Sequence, residues 1–442
     1  MGEAKIKKFT APMDDSTGTV SISESRLSEV LAAGQVEQVL MDVLNQGIQP
    51  NSIHAKQMKA MLFLRQKKFD ECEKLVAGIL RMHPEDGLSN KMMGDMSFLK
   101  VDYKSAQKWY SEALKILPNH PDIVHDLAVA IVSEGRVDES IPLFRKACLL
   151  KPQDANFKHH LAIMLVLAGK IHEGWAQMES RLDVPGVTGS FPNPEKYWQG
   201  QDLAGKVVVV RSEQGFGDTI MFMRYVKLIK EMGAAKIYAY CQPNMREFLQ
   251  HYYPECIYVP NIAPPPTDFD FHVCVMSFPH LFPGQYLTER ASKVEGRDGI
   301  GINWFGSPTH KADHLRTVPI ERFLPMMDRY PREKFYCTAW GRFSEKPPRI
   351  DYYIDNCRDW LETAQKIDKL KLIITVDTAI AHLGGFLGVP TWLLLPYVPD
   401  FRWGMSGETT PWYESVKIYR QPKLFDWDSV FARVEEDLGA IL

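Results

Sequence analysis

The second half of the chain alternates between short apolar runs and longer amphipathic segments. Apolar runs bounded by turn residues predict buried strands, and the amphipathic segments between them predict crossover helices. This alternation predicts parallel sheets with helices on both faces, followed by a closing helix over 421–442. The predicted strands are 207–211, 236–241, 256–259, 271–275, 299–304, 334–339, 372–376 and 391–395.

Prolines divide the first part of the chain at a nearly constant interval. Pro50, Pro84, Pro118, Pro152 and Pro185 are separated by 34, 34, 34 and 33 residues. A fixed period of this size predicts an array of helix pairs, each ended by its proline. Small and aromatic residues keep the same register and would let paired helices pack closely; they are Gly94, Ala128, Ala162, Ala106, Ser140, Tyr110, Phe144, Ala113 and Ala147. The pattern resembles the tetratricopeptide repeat.

Together the two patterns predict an α-helical solenoid followed by an α/β region. The groove of a repeat array binds a peptide or a partner protein, although an array also serves as a spacer or a dimerisation surface, so a homo-oligomer stays open. The predicted segments are a disordered polar stretch over 1–20, the repeats over 21–184, a linker rich in proline and glycine over 185–205, a first Rossmann-like lobe over 206–290 and a second over 291–442.

The strongest candidate for chemistry follows the predicted strand 372–376. Asp377 takes the position of a helix N-cap, and Thr378 and His382 share one face of the helix that follows. A helix start of this kind attracts phosphate, and Gly384 would let a ligand or another chain segment approach. The alternative is a capped helix with a packed histidine.

The first predicted strand, 207–211, runs into a second candidate turn. Gln214, Gly215 and Gly217 would line a cleft, and Asp218 lies where the turn enters a helix. A carboxylate there is stabilised by the helix dipole and could accept the proton of an acceptor hydroxyl. The alternative is a plain N-cap at Asp218.

A third candidate is the loop after the predicted strand 299–304. Its cations would stabilise the charge of a departing nucleotide, and the alternative is a solvated loop. Its candidate residues are Trp304, Gly306 and His310, which would line the cleft, together with Ser307, Lys311 and Arg316. The aromatic segment 397–413 would frame a base or a sugar, or else pack the C-terminal part against the sheet.

Composition argues against several other classes of function. Of 442 residues, 45% are hydrophobic and 24% charged, as in soluble globular proteins, and the net charge of −3 gives no support for a nucleic-acid groove. The seven cysteines are scattered without a CxxC pair, which argues against a disulfide framework and a zinc site. We therefore expect no metal or other cofactor. With no signal peptide and no apolar run of about 18 residues, a cytoplasmic protein without a membrane span is expected.

Six sequence strings occur in an order that identifies a family resemblance. They are EQGFGDT at 213–219, GINWFGSP at 301–308, VDTAIAHLGGFLGVPTWLLLP at 376–396, PDFRWG at 399–404, TPWY at 410–413 and YRQ at 419–421. With the repeats, they resemble bacterial or phage-type tetratricopeptide-repeat proteins whose C-terminal half is similar to the heptosyltransferases, glycosyltransferase family 9. The resemblance implies a GT-B fold with two Rossmann-like lobes and the donor in the second.

The resemblance also implies a mechanism and roles for the candidate residues. It implies inverting, metal-independent transfer of a sugar from a nucleotide sugar, with Asp218 as the base. Asp377, Thr378 and His382 would hold the donor diphosphate and its sugar, and Gly384 is grouped with them. Ser307, Lys311 and Arg316 would approach the phosphates. Many relatives carry Ser-Leu-Gln where this chain has residues 336–340, so the identity of the nucleobase stays open.

Three hypotheses for function follow. The first is a glycosyltransferase whose repeats recruit a protein or glycan acceptor, or a partner; a similar architecture in eukaryotic O-GlcNAc transferase suggests a protein acceptor by analogy. The second is a non-catalytic repeat scaffold with a degenerate GT-B domain. The third is a glycosyltransferase that acts on a glycan or a modified nucleic-acid base.

Overall fold

The structure is a computed structural model that describes residues 52–187, 191–213, 215–287, 296–307, 313–340 and 349–442. The disordered stretch predicted over 1–20 and the start of the predicted array lie outside these residues. The chain divides into two compact units, Met1–Lys151 and Pro152–Leu442. We call them the helical unit and the α/β unit.

The described part of the helical unit consists of consecutive helix pairs. Its helices are α1 (Ile53–Arg65), α2 (Phe69–Met82), α3 (Gly87–Leu99), α4 (Tyr103–Ile116), α5 (Pro121–Val132) and α6 (Val137–Leu150). The first helix of each pair starts 34 residues after the one before it, at Ile53, Gly87 and Pro121. This spacing confirms the predicted period, and the helical unit is a repeat region of the tetratricopeptide type.

The predicted small and aromatic positions are where paired helices meet. Ala106 and Ala113 are fully buried, and Tyr110 packs against Gly94 so closely that a Cβ added there would lie 2.5 Å from the Tyr110 ring. Side chains of Ser52 and Asp86 cap α1 and α3 by accepting backbone N–H bonds. The close packing therefore depends on the residues that share the 34-residue register.

The α/β unit opens with one further helix pair, α7 (Ala155–Leu167) and α8 (Ile171–Met178), and a 3₁₀ turn, Glu179–Asp183. Its α7 starts 34 residues after α5. The other helices of this unit are α9 (Phe216–Phe222), α10 (Val226–Glu231), α11 (Arg246–Tyr252), α12 (Phe278–Leu281), α13 (Asp313–Arg316), α14 (Leu324–Arg329), α15 (Trp360–Ile367), α16 (Ala379–Phe386) and α17 (Trp427–Ile441).

Two parallel sheets form the centre of the α/β unit. The first has the strand order β3-β2-β1-β4 and the second β10-β9-β8-β5-β6-β7. The strands are β1 (Val207–Arg211), β2 (Lys236–Cys241), β3 (Cys256–Pro260), β4 (Phe271–Cys274), β5 (Ile300–Asn303), β6 (Phe335–Cys337), β7 (Asp351–Tyr352), β8 (Leu372–Val376), β9 (Thr391–Leu395) and β10 (Val416–Arg420). Every pairing is parallel, which confirms the predicted α/β class.

All eight predicted strands exist, and two further strands were not predicted. These are β7, which has two residues, and β10 at the edge of the second sheet. The closing helix starts at Trp427 instead of 421, because Asp426 caps it by accepting from the Ser429 N–H. All seven cysteines lie in described ranges, and none of them forms a disulfide. No helix within the described ranges is long and apolar enough to cross a membrane.

Candidate functional site

The candidate site lies where α9, which follows β1 of the first sheet, packs against α16, which follows β8 of the second sheet. A Cβ added at Gly217 would lie 2.8 Å from His382 Cδ2 and 3.5 Å from the Cα of Ala379. Only glycine permits this approach without displacing the neighbouring helix. The approach brings Asp218 close to the segments that follow β8 and β9.

Asp218 forms an ion pair that connects the two sheets. Its Oδ1 accepts a hydrogen bond from Arg402 Nη2, and its Oδ2 accepts from the Gly215 N–H at 3.3 Å. The residue is only 7% exposed. Burial raises the pKa of Asp218, and the nearby Arg402 opposes that rise. The N-cap of α9 is Gly215, with Asp218 at the third helical position, so the alternative of a plain N-cap at Asp218 is wrong.

Arg402 is shared between two carboxylates. Its Nη1 donates to Asp400 Oδ1 at 2.8 Å, and its guanidinium lies 4.3 Å from the centre of the Phe401 ring. Burial works against the charge, but Asp218 and Asp400 outweigh it, so the pKa of Arg402 lies above its usual value. The arginine therefore stays cationic between the aspartates.

Asp377 is a third carboxyl in the same place. Burial raises its pKa to about 6, and repulsion by Asp400 adds to the rise, against the opposing effects of Trp403, Arg402 and Arg316. A carboxyl with this pKa takes up and releases protons close to neutral pH. The site thus combines three aspartates with two arginines.

Arg316 ends α13, and its side chain reaches the turn that precedes α16. Its Nη1 donates to the Asp377 carbonyl oxygen at 2.7 Å, and its Nε donates to Asp313 Oδ1 at 2.9 Å. Gly306 lies against this guanidinium, and a Cβ there would overlap it. The loop glycine is therefore needed for the arginine to reach the end of β8.

Thr378, and not Asp377, is the N-cap of α16. Its Oγ1 accepts from the Ile380 N–H at 3.3 Å and from Asn303 Nδ2 at 3.0 Å. The prediction misplaced the cap by one residue, because Asp377 still belongs to the turn that leaves β8. Asn303 ends β5 and is buried, and its Oδ1 has no hydrogen-bond partner within the described part of the chain.

His382 is a packed, neutral histidine. It is 5% exposed, its Nδ1 lies 3.0 Å from the Tyr413 hydroxyl oxygen, and its ring stacks on Trp403 with centroids 5.1 Å apart. Burial lowers the pKa of His382 well below its usual value, and Arg402 and Arg224 lower it further. The structure therefore agrees with the alternative of a packed histidine.

Several other candidates have positions different from those expected. Gly384 faces the sheet, where a Cβ would overlap Thr391 Oγ1, so it serves helix packing and not ligand approach. Trp304 is 7% exposed and belongs to the apolar core of the second sheet instead of lining a cleft. Gly215 and Ser307 are exposed. Gln214, His310 and Lys311 lie outside the described residues.

The sequence analysis gave no role to Arg402, Asp400 or Arg224. The string PDFRWG and the aromatic segment 397–413 contained the first two, but nothing in either string shows that Asp218 is their neighbour. Arg224 is buried and donates to the Trp412 carbonyl oxygen at 2.9 Å, with its guanidinium 4.7 Å from the centre of the Tyr413 ring. Within the described ranges, no group of three or more His, Cys, Asp or Glu residues could hold a metal ion.

Comparisons with known proteins add a relative and several repeat structures. No family model matches the chain. Protein FlbA of Caulobacter vibrioides is 25% identical over 440 residues, which span 87% of this chain and 72% of FlbA. This similarity is too distant to assign a family.

The similar solved structures are tetratricopeptide proteins that match the N-terminal part. YrrB, described as a TPR protein with an unusual peptide-binding site, is 15% identical over 34% of this chain and 77% of its own, with a TM-score of 0.29. TTC0263, a thermophilic TPR protein of Thermus thermophilus, is 14% identical over 35% of this chain and 86% of its own, with a TM-score of 0.31. MamA is 12% identical over 37% of this chain and 95% of its own, with a TM-score of 0.29.

Proposed function

We propose that the α/β unit is a glycosyltransferase of the GT-B type that moves a sugar from a nucleotide sugar to an acceptor hydroxyl. The observation that carries the proposal is the contact between Asp218 and Arg402. It joins a carboxylate from the helix after β1 to a cation from the turn after β9. Both groups follow the carboxyl ends of parallel strands, where open α/β sheets bind their ligands.

The proposed step is a single displacement with inversion. The acceptor hydroxyl oxygen attacks the anomeric carbon while the bond from that carbon to the diphosphate oxygen breaks. The nucleoside diphosphate leaves with the electron pair of the broken bond, and the hydroxyl proton passes to Asp218. Burial raises the pKa of Asp218, which makes it a better proton acceptor than an exposed aspartate. Arg402 opposes that rise and stabilises the ionised form before the step.

The diphosphate has a binding place at the start of α16. The positive end of the helix dipole favours an anion there, while the Thr378 hydroxyl and carbonyl oxygens accept the Ile380 and Ala381 N–H groups. Arg316, bonded to the Asp377 carbonyl oxygen, adds a cation beside the same turn. Ser307 and Lys311 stay predicted contacts of the phosphates. No metal ion takes part in the proposal.

The helical unit would recruit the acceptor or a partner protein. A tetratricopeptide groove is a surface that binds peptides, so the proposal favours a protein acceptor over a glycan. The donor sugar and its base are left to the first experiment. That experiment is a thermal-shift screen against nucleoside diphosphates and nucleotide sugars, since a ligand that binds the folded state raises its melting temperature.

The decisive test is Asp218→Asn in the full-length chain. We expect the rate of transfer, or of donor hydrolysis without acceptor, to fall by about 10²- to 10⁴-fold, with the nucleotide-induced thermal shift retained. Asp368→Asn is the matched control, because Asp368 also pairs with a mostly buried arginine, Arg297, at the opposite end of the second sheet. Transfer at a near wild-type rate in Asp218→Asn would remove this residue as the base.

A non-catalytic binding protein is the second candidate function. It is favoured by the engagement of both carboxylate oxygens of Asp218 and by the packing of His382 between Trp403 and Gly217. In this case nucleotides would bind without turnover of any nucleotide sugar. A thermal shift with a nucleoside diphosphate, together with no release of that diphosphate from its sugar conjugates, would favour this function over catalysis.

A further inference from the structure

The helix pair α7–α8 ends in a fully buried arginine. Arg181 is 0% exposed and lies in the 3₁₀ turn after α8. Its Nε and Nη2 donate to Glu213 Oε2 and Oε1 at 2.7 and 2.8 Å, and Nη2 also donates to Ser277 Oγ at 2.8 Å. Its Nη1 donates to the Met178 carbonyl oxygen and to Glu179 Oε1. All five N–H groups of the guanidinium are therefore used.

Glu213 is the loop residue that this arginine holds. Its side chain is 1% exposed, and its Oε1 also accepts from the Met276 N–H at 2.9 Å. It follows β1 and lies two residues before Gly215, whose N–H donates to Asp218 Oδ2. The pair therefore fixes the loop that leads directly to the proposed base.

The same helix pair also holds the other side of the site. Trp175 of α8 packs edge-on against Phe222 and Phe401, with ring centroids 5.8 Å apart in both cases, and against Trp412 at 6.3 Å. Phe222 ends α9, and Phe401 precedes Arg402 in its turn. In addition, α7 packs against the 3₁₀ turn Phe401–Trp403, which contains Arg402. One helix pair thus contacts both members of the Asp218–Arg402 pair through their neighbours.

Stability alone gives no reason for a buried arginine at this place. Removing both charges from water costs about as much as their attraction returns, and apolar residues of the same volume often do as well. A planar guanidinium that donates five hydrogen bonds does, however, fix the position and the orientation of the groups that accept them. We propose that the helix pair α7–α8 positions the Asp218–Arg402 site, with Arg181 holding the loop before Asp218 and Trp175 holding the turn that contains Arg402.

The test is Arg181→Lys in the full-length chain, because lysine keeps the positive charge but cannot make the paired hydrogen bonds of the guanidinium. We expect amide hydrogen exchange over 215–222 to become about tenfold faster, while exchange in the helical unit stays unchanged. The kinetic part of the test rests on the proposed function. There we expect kcat to fall about 10- to 100-fold, with the KM for the donor within about twofold of wild type, because misplacing a catalytic group impairs the chemical step.

Arg297→Lys is the matched control. Arg297 donates to Asp368 Oδ1 at 2.7 Å and to the Gly388 carbonyl oxygen at 3.0 Å, so it is also a mostly buried arginine with several acceptors, but it precedes β5 at the opposite end of the second sheet. We expect this variant to keep wild-type exchange over 215–222 and wild-type kcat. Equal behaviour of Arg181→Lys and Arg297→Lys in both measurements would overturn the proposal.

Two further outcomes separate this proposal from the proposed function. If the wild type turns over no donor, but Arg181→Lys accelerates exchange over 215–222, the glycosyltransferase proposal fails and the positioning role stands.

If Arg181→Lys does not fold, Trp175→Phe tests the contact of the helix pair with the turn that contains Arg402. Faster exchange over 399–404 with unchanged exchange in the helical unit would support the proposal, and wild-type exchange there would overturn it.

Discussion

The helical unit and the α/β unit each hold one cation between two aspartates, and the two clusters have different surroundings. In the helical unit, Lys91 Nζ lies 2.9 Å from Asp95 Oδ1 and 2.8 Å from Asp126 Oδ2. The Tyr110 hydroxyl donates to Asp95, and His125 Nδ1 lies 3.2 Å from Asp126 Oδ1. Burial opposes the charge of Lys91, but the two aspartates outweigh it and raise its pKa. All of these residues lie on neighbouring helices of the array.

The cluster of the α/β unit is more buried and draws on distant parts of the chain. The side chains of Arg402 and Asp218 are 11% and 9% exposed, against 20% and 28% for Lys91 and Asp95. A third carboxyl, Asp377, has its pKa raised to about 6. The comparison shows that one cation with two aspartates can be a packing device on helices. In the cluster at the strand ends, the additional carboxyl of Asp377 has a pKa close to neutral pH, which makes this cluster a candidate for proton transfer.

Replacing the cation of each cluster should give the largest difference between them. Arg402→Met leaves the buried Asp218, and Asp400 with its side chain 30% exposed, without their cation, and we expect a loss of about 3–5 kcal/mol in the free energy of unfolding. Lys91→Met leaves Asp95 and Asp126, each 28% exposed, with the Tyr110 hydroxyl and the His125 ring still beside them, and we expect a loss of about 1–3 kcal/mol. Urea unfolding of the full-length variants measures both. An equal loss would contradict the distinction between the clusters.

Asp377 should make the α/β unit lose stability as the pH rises. Its pKa is raised to about 6 in the folded protein from 3.8, so the folded state binds more protons than the unfolded state between these values. The contribution of this residue to the free energy of unfolding is then fully present below about pH 4. It is lost as the pH rises through 6, and the loss is at most about 3 kcal/mol. The check is the difference between wild type and Asp377→Asn from pH 4 to 7. A difference that does not change with pH would refute the raised pKa.

Alanine substitutions at two glycines near the start of α9 should differ in their cost, because one site is crowded and the other is open. Gly217→Ala places a Cβ against His382 and the α16 backbone, and we expect a loss of about 1–3 kcal/mol. Gly215→Ala is the control, because the nearest atom would be 3.8 Å away and its φ of −85° suits alanine. Since Gly215 is the N-cap of α9 and alanine is a poorer N-cap, we expect a loss below about 1 kcal/mol. Urea midpoints provide the comparison, and similar values for the two variants would argue against the close approach of α9 and α16.

The smallest expected effect is a gain of stability in the helical unit. Gly78 lies inside α2, and a Cβ added there meets no atom within 4 Å. Alanine should therefore stabilise the helix by about 0.5–1 kcal/mol through its higher helix propensity. Gly94→Ala is the contrasting variant, since its Cβ would press on Tyr110 and should destabilise the unit. A gain in both variants would show that the repeats are packed more loosely than the structure indicates.

The fold was largely predictable from the sequence because its signals are local. The 34-residue spacing of prolines sets the helix pairs, and continuous apolar runs such as 372–376 mark strands that are buried on both faces. β7 was missed because two residues contain no periodicity. In β10 the buried positions Val416 and Ile418 alternate with partly exposed Lys417, so counting alternate positions would have found that edge strand.

The site was less predictable, because its contacts join distant residues. Asp218 and Arg402 are 184 positions apart in the sequence, and the close packing of α9 against α16 at Gly217 brings their segments together. The sequence identified Asp218, Asp377, Thr378 and Arg316 as polar residues near strand ends. It could not show that His382 and Gly384 are used for packing, because a helix face does not reveal what it packs against.

The saturated guanidinium of Arg181 limits how this chain can change during evolution. Because all five of its N–H groups are bonded, and two of those bonds go to Glu213, replacing either residue alone leaves the other charged and buried without its partner. Positions 181 and 213 should therefore be inherited together, and a lineage that loses one should lose the other.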